Sequence, residues 1–206
     1  MIERVVEAYG QRADEYTALL GAMDAVHAAD RELVERWASD RTGTLLDAGC
    51  GQGHWSGHLA RLGHHVVGLD AVPRFVEIAR TAAPTVDFRT GALEATGLPA
   101  GAVGGVLSWY SLVHHAPERV PAALAEFHRV VRPDGGLLVG FFDGDTLEPF
   151  DHAVTTAWRW PVEQMAGALT DAGFAVEEVV RRAEPDARPH AAIACRAASP
   201  RRSAGD

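Results

Sequence analysis

The sequence predicts an α/β domain, a parallel sheet with helices on both faces. Three observations lead there. From Thr44 onward, short apolar runs alternate with helical stretches. A glycine-rich turn joins the first of those runs to the helix after it. The turn Pro133-Asp134-Gly135-Gly136 stops a late helix just before another apolar run. Strands that alternate with helices cannot pair as hairpins, so each crossover returns the chain to a parallel neighbour.

Residues 2 to about 37 read as helices. Ile2, Val5, Val6 and Tyr9 recur at helical spacing, as do Tyr16, Leu19, Leu20 and Met23, and then Leu33, Val34 and Trp37; Gly10 and Gly21 punctuate them. Residues 40–43 form a turn. The first three strands are expected at Thr44–Ala48, His65–Leu69 and Thr85–Arg89, and the fourth and fifth at Gly105–Trp109 and Gly136–Phe142. Helices are expected between them at Trp55–Leu62, Pro73–Ala82 and Pro121–Val131. The last ends where it must, because the residue before a proline leaves helical space and the glycines permit a left-handed turn. A helix at 161–172, a strand at Phe174–Arg181 and a final strand at Ala191–Arg196 complete the pattern.

At 206 residues and 47% hydrophobic, the chain suits one compact domain over 1–206. Its parts are N-terminal helices over 1–38, a sheet core over 44–196 and a frayed tail over 197–206. Nineteen basic against twenty-eight acidic residues leave a formal charge of −9. An acidic surface repels phosphate backbones and anionic lipids, so neither nucleic acid nor membrane is an expected partner; solubility is its plain meaning. Cys50 and Cys195 make no disulfide framework and have no metal-ligand spacing. No basic-then-apolar leader opens the chain, and no apolar run approaches the ~20 residues that span a bilayer. A cytoplasmic protein without metal is the expectation.

The chemistry starts at Asp47-Ala48-Gly49-Cys50-Gly51-Gln52-Gly53. Gly49 permits the sharp turn from strand to helix, Gly51 lets the backbone approach a ligand, and Gly53 lets helix pack on strand. Such a pattern alone is weak and is compatible with a purely structural turn. Asp70, at the end of the second strand, strengthens it. A carboxylate about twenty residues on from a glycine loop accepts hydrogen bonds from both hydroxyls of a ribose. Asp47 then bears on the choice of cofactor. It repels a pyrophosphate and favours an ammonium, which turns the charge logic from NAD towards S-adenosylmethionine.

These residues, with the stretches LLDAGCGQG (45–53), VVGLDAVPRFVEIAR (66–80), LPAGAVGGVLSWYSLVHHAP (98–117) and LAEFHRVVRPDGGLLVGFF (124–142), resemble the class I methyltransferases. The resemblance is to the small-molecule group often labelled type 11 or type 25 and covers about residues 9 to 195. It implies a Rossmann-like, doubly wound sheet of seven strands in order 3-2-1-4-5-7-6, strand 7 antiparallel, preceded by N-terminal lid helices. It implies S-adenosylmethionine as cofactor, with S-adenosylhomocysteine as product. Carried over by position, Asp47, Gly49 and Gly51 meet the methionine portion, Asp70 the ribose and Ala71 the adenosine. Leu93 offers its backbone N–H to the adenine. The family usually has an acid where this chain has Ala92, so one adenine contact is missing; Glu94 is a weak substitute. Gly104 stands where many relatives have aspartate.

Ser108 to His115 follow the fourth strand, at the carboxyl ends of the strands where open α/β sheets hold their ligands. Trp109 and Tyr110 are therefore expected to border the methyl-donor end, and the resemblance places the backbone of Trp109 near the methionine ammonium; either ring also reads as core. His114, and less so His115, are general-base candidates, because imidazole titrates near neutral pH. With ten histidines in the chain, either also reads as incidental. In relatives the N-terminal region closes over the cofactor, and Tyr16 is the tyrosine expected to face it, with Tyr9 and Arg12 nearby. Together Tyr16, Tyr110 and His114 form the catalytic set. The long segment 143–160, with His152, Trp158 and Trp160, offers a third wall or ordinary packing.

The implied reaction is methyl transfer by in-line displacement to a small-molecule acceptor through O, N or C, by a monomer or homodimer. Two other readings stand beside it: a methyltransferase-like protein that cyclises its substrate or serves as a binding subunit, and an NAD-dependent dehydrogenase.

Overall fold

The computed structural model describes residues 6–7, 9–10, 23–152, 155–185 and 188–198. After a helical turn at Val6–Glu7 and Tyr9–Gly10 and a 3-10 turn at Met23–Ala25, helix α1 spans Ala28–Ser39. The alternating region follows: β1 Leu45–Ala48, α2 His54–Arg61, β2 Val66–Asp70, α3 Pro73–Ala82, β3 Asp87–Thr90 and β4 Val103–Trp109. Next come α4 Val120–Val130, β5 Val131–Asp143, β6 Glu148–Asp151, β7 Thr156–Trp160, α5 Val162–Asp171, β8 Phe174–Arg182 and β9 His190–Ala197. Every strand and helix expected from Thr44 onward is present, with ends displaced by a few residues.

Strands β3, β2, β1, β4 and β5 run parallel in that order. β9 lies antiparallel to β5, pairing Gly136–Phe142 with Arg196–His190, and β8 lies antiparallel to β9. Renumbered without β6 and β7, this is the expected order 3-2-1-4-5-7-6 with the last strand antiparallel. Among the described residues the sheet has nine strands because β6 and β7 add a hairpin inside the long segment 143–160. Phe142 pairs with His190 on one side and Arg159 on the other. The hairpin therefore extends the ladder of β5 on the side that β4 leaves after Trp109 pairs with Gly140. That position puts the hairpin over the carboxyl end of β4.

The pleat sorts the core. Leu45, Leu107 and Leu138 face α1, α2 and α3 with Val34, Trp37 and Leu59, while their neighbours Leu46, Val106 and Leu137 face α4 and α5 with Leu124, Phe127 and Met165. Successive strand residues point to opposite faces, so an unbroken apolar run fills two layers at once. α4 ends at Val130; the Pro133–Gly136 turn expected there is an irregularity at the start of β5, with Asp134 at φ 62°. Edge strand β8 is largely exposed, and Glu177 and Glu178 there bind Arg196 and Arg36, charges that discourage further strand addition.

Gly104 has a steric reason. A Cβ there would stand 1.9 Å from the carbonyl oxygen of Thr42, so the chain before β1 crosses too close for any side chain. Both cysteines are free and buried. No helix among the described residues is long and apolar enough to cross a membrane, and none of their side chains cluster as a metal site. The tail beyond Ala198 lies outside the described residues.

Candidate active site

The loop between β1 and α2 folds as its glycines demand. Gly49 and Gly53 take left-handed φ values of 82° and 81°. A Cβ on Gly49 would meet Ser111 at 2.2 Å, and one on Gly53 would meet Ala79 and Phe88 at 2.8 Å. The N–H groups of Gly49 and Cys50 both donate to the Leu69 carbonyl, at 2.7 and 3.0 Å, which pins the loop to the end of β2. At Gly51 the outcome is different. Nothing lies within 4 Å of the position its Cβ would take, so the backbone here borders open space.

Asp70 closes β2 beside that space. Its Oδ2 accepts from Gly51 N and its Oδ1 from Val72 N, both at 2.8 Å. Two backbone donors aim the carboxylate and leave lone pairs on each oxygen for a ligand. Burial raises its pKa, and the two backbone hydrogen bonds oppose the rise. Asp47 lies deeper, 2% exposed, where Oδ2 accepts a 2.6 Å bond from Ser56 Oγ. Burial pushes this carboxyl up to about 7; the charge of Asp70 adds to the rise and Ser56 opposes it.

A cavity of about 510 Å³ opens over the carboxyl ends of β1, β2 and β4, a size usual for small-molecule sites. Of the residues singled out in the sequence, Gly49, Gly51, Asp70, Ala71, Leu93, Trp109, Tyr110, His114 and His115 line it. Asp47 lies beneath the loop and does not reach the wall, nor does Ala92, which bridges to Ala95. Glu94 is held by Arg119 at 3.0 Å and His115 at 3.6 Å, away from the cavity. Tyr16 and Arg12 lie outside the described residues. Trp160 is core, and Trp158 packs against that core.

Two of the catalytic candidates, Tyr110 and His114, are already hydrogen-bonded to other residues. Tyr110, directly after β4, stands at φ 56°, a strained value for a residue with a Cβ, and its hydroxyl bonds His190 Nδ1. Burial holds this phenol well above its usual pKa. His114 Nδ1 lies 2.9 Å from the carbonyl oxygen of Thr156, which only accepts, so Nδ1 carries the proton. Its Nε2 then accepts from the Tyr9 hydroxyl at 2.7 Å. Burial lowers the His114 pKa to about 4, so the ring stays neutral in neutral solution. Both of its nitrogens are occupied.

Rings continue around the wall. Trp55 and Trp109 stand 6.0 Å apart between centroids, Trp109 and Tyr110 5.5 Å, and Tyr110 and Phe142 5.1 Å. Phe142 and His152 follow at 6.0 Å, and His152 and His114 at 5.3 Å. At the far end Arg182 binds Asp30 at 2.8 Å and Glu184 at 3.0 Å. Tyr9 was expected near the site and His152 on its third wall. Phe142, His190 and Arg182 were not anticipated; each sits in an ordinary strand position with no local signal.

Residues 45–135 match the family described as methyltransferase domain. This stretch is similar to the class I S-adenosylmethionine-dependent methyltransferases. The chain is 33% identical over 145 residues to a malonyl-acyl-carrier-protein O-methyltransferase of Serratia marcescens, covering 68% of this chain and 56% of that one. It is 36% identical over 121 residues to a ubiquinone biosynthesis O-methyltransferase of Methylocella silvestris, covering 55% and 44%. The chain thus spans about half the length of these curated relatives. Among solved structures, its fold is similar to that of the 4+2 cyclase SpnF, at TM-score 0.80 and 20% identity over 94% of this chain and 96% of that one. It is also similar to a Burkholderia thailandensis 1,6-didemethyltoxoflavin-N1-methyltransferase with S-adenosylhomocysteine bound, at TM-score 0.69 and 20% identity over 94% and 89%.

Proposed function

We propose that the chain transfers a methyl group from S-adenosylmethionine to a small-molecule acceptor by in-line displacement. The observation that carries this reading is the pairing of Asp70 with the open backbone at Gly51. A preoriented carboxylate beside a cradle that a Cβ would fill fits a ribose next to an amino-acid tail. When bound, the cofactor supplies a methyl group already activated as a sulfonium. Asp70 holds the ribose hydroxyls, Ala71 borders the adenosine and the Leu93 N–H meets the adenine. The Gly49–Gly51 backbone and Trp109 hold the methionine end, with Asp47 below favouring its ammonium through an intervening water. Tyr16, Tyr110 and His114 complete the acceptor side. With both nitrogens occupied, His114 positions Tyr9 and the β7 backbone. The protein's work is to align, to exclude water and to set charge, because the donor needs no further activation.

The same proposal makes the protein a cytoplasmic monomer or homodimer that acts without nucleic acid or membrane. Calorimetry with S-adenosylhomocysteine and with NAD tests the cofactor. Binding of S-adenosylhomocysteine alone supports the reading, and binding of NAD alone replaces it with a dehydrogenase. A second reading keeps the cofactor but gives up the methyl transfer, in favour of cyclisation or a binding-subunit role. The likeness to a cyclase and the missing acid at Ala92 favour it, since one fold serves several reactions. Transfer of radiolabelled methyl into an acceptor excludes it.

A further inference from the structure

The arc of rings from Trp55 to His114 borders the cavity, and the chemistry of its neighbours restricts what can lie there. Among the described residues lining the cavity the permanent cation is Arg182, already tied to Asp30 and Glu184. His114, His115, His152 and His190 are all held neutral by burial. A carboxylate acceptor would enter without a free counter-charge, and leaving water would cost it several kcal/mol. A flat uncharged ring meets no such penalty and gains edge and face contacts with Trp109, Tyr110 and Phe142.

Two buried polar atoms on the arc lack a partner, Trp55 Nε1 and His152 Nδ1; the indole N–H can only donate, so of the two His152 Nδ1 alone can accept a proton. His152 Nδ1 is buried and makes no hydrogen bond, although its ring packs against both His114 and Phe142. Buried polar atoms are nearly always paired, so an unpaired one on a cavity wall marks where a ligand group belongs. His114, beside it, has neither nitrogen to spare.

We propose that the acceptor is an uncharged hydroxyaromatic compound, held flat against the Trp109–Tyr110–Phe142 rings, and that His152 Nδ1 receives the proton of its hydroxyl. This rests on the cofactor reading above. The acceptor's O–H bond breaks and its proton goes to Nδ1. An electron pair on the acceptor oxygen forms the new O–CH3 bond, and the pair of the broken C–S bond stays on the donor sulfur. The positive charge moves from donor to imidazole, so the total is unchanged. His152 sits on the segment between β6 and β7, the hairpin that the seven-stranded pattern lacks, so the acceptor's partner comes from an addition to the common sheet.

The test uses the full chain saturated with S-adenosylhomocysteine, with catechol, 2-naphthol and malonate as probes, by calorimetry and ligand-observed NMR. Catechol or 2-naphthol binding at least tenfold more tightly than malonate is expected. Tight S-adenosylhomocysteine binding with no hydroxyaromatic binding overturns the acceptor class and leaves the cofactor site standing. Absence of S-adenosylhomocysteine binding overturns the cofactor reading itself. His152→Phe keeps an aromatic ring in the arc. It is expected to retain probe and S-adenosylhomocysteine binding while methyl transfer to the bound hydroxyl falls by ~10²–10⁴-fold. Its pH–rate profile should lose the imidazole limb. Wild-type turnover with an unchanged profile in His152→Phe overturns the role of His152.

Discussion

The hydroxyl of Tyr9 lies 2.7 Å from His114 Nε2, although 105 residues separate them in the chain. Tyr9 also packs on Phe75 at 5.7 Å and, with Val72, forms a small apolar cluster on the cavity wall. One side chain thus fastens the start of the chain to the turn after β4 and to the first turn of α3. Tyr9→Phe keeps the packing and strips a buried imidazole nitrogen of its donor. A loss of about 1–2 kcal/mol is expected, read as a Tm lowered by about 2–6 °C. Hydrogen exchange around residues 6–10 should accelerate. An unchanged Tm would mean that the bond contributes nothing.

Asp70 is the sharpest test of the cofactor site. Asp70→Asn keeps the shape of the side chain but removes the charge and one acceptor. Hydrogen bonds to a charged group are worth ~1.5–3 kcal/mol each, and about 1.4 kcal/mol is a factor of ten. S-adenosylhomocysteine affinity should therefore fall at least tenfold by calorimetry. Equal affinity in the variant would remove Asp70 from the site.

Asp47 makes stability depend on pH. Its carboxyl is raised from an unfolded value of 3.8 to about 7, chiefly by burial. Between those values the folded state holds a proton that the unfolded chain has released. The contribution of Asp47 to stability is therefore greatest below pH ~4 and declines as pH rises to ~7. Asp47→Asn removes this slope, so the variant should gain on wild type between pH 5 and pH 8 in thermal denaturation. In the proposed complex the ligand ammonium favours the ionised form. Binding near pH 6.5 should then release a proton, detected by calorimetry in buffers of different ionisation enthalpy.

Gly104→Ala tests the crossing at the foot of β4. The new Cβ would stand 1.9 Å from a backbone oxygen, so relief requires the chain at Thr42 to shift. A destabilisation of about 1–3 kcal/mol or more is expected in urea denaturation, with S-adenosylhomocysteine affinity of the folded protein unchanged. Gly104→Asp, which restores the residue many relatives carry, should cost at least as much.

Much of the fold was legible from local pattern. Apolar runs such as Leu45–Leu46 and Leu137–Val139, broken by glycine and proline, announce buried parallel strands because both faces of such a sheet must be apolar. The β6–β7 hairpin was not legible. Its segments are short and mixed, and its pairing uses the free ladder edge of β5, which exists only once β4 has ended.

The sequence by itself determined the proposed donor side of the site. Asp47, the glycines and Asp70 lie within a single strand–helix–strand unit, where close spacing along the chain and proximity in space coincide. Only the tertiary structure decided the acceptor side. His114 reads as a free base in the sequence, yet Tyr9 and Thr156 take both of its nitrogens; His152, one histidine among ten, keeps an unpaired ring nitrogen on the cavity wall. The physical reason is range. Turn geometry and strand periodicity are set by neighbours a few residues apart. Whether a side chain's hydrogen bonds are already taken depends on groups brought from Tyr9, Phe142 and Thr156 by the folding of the whole sheet.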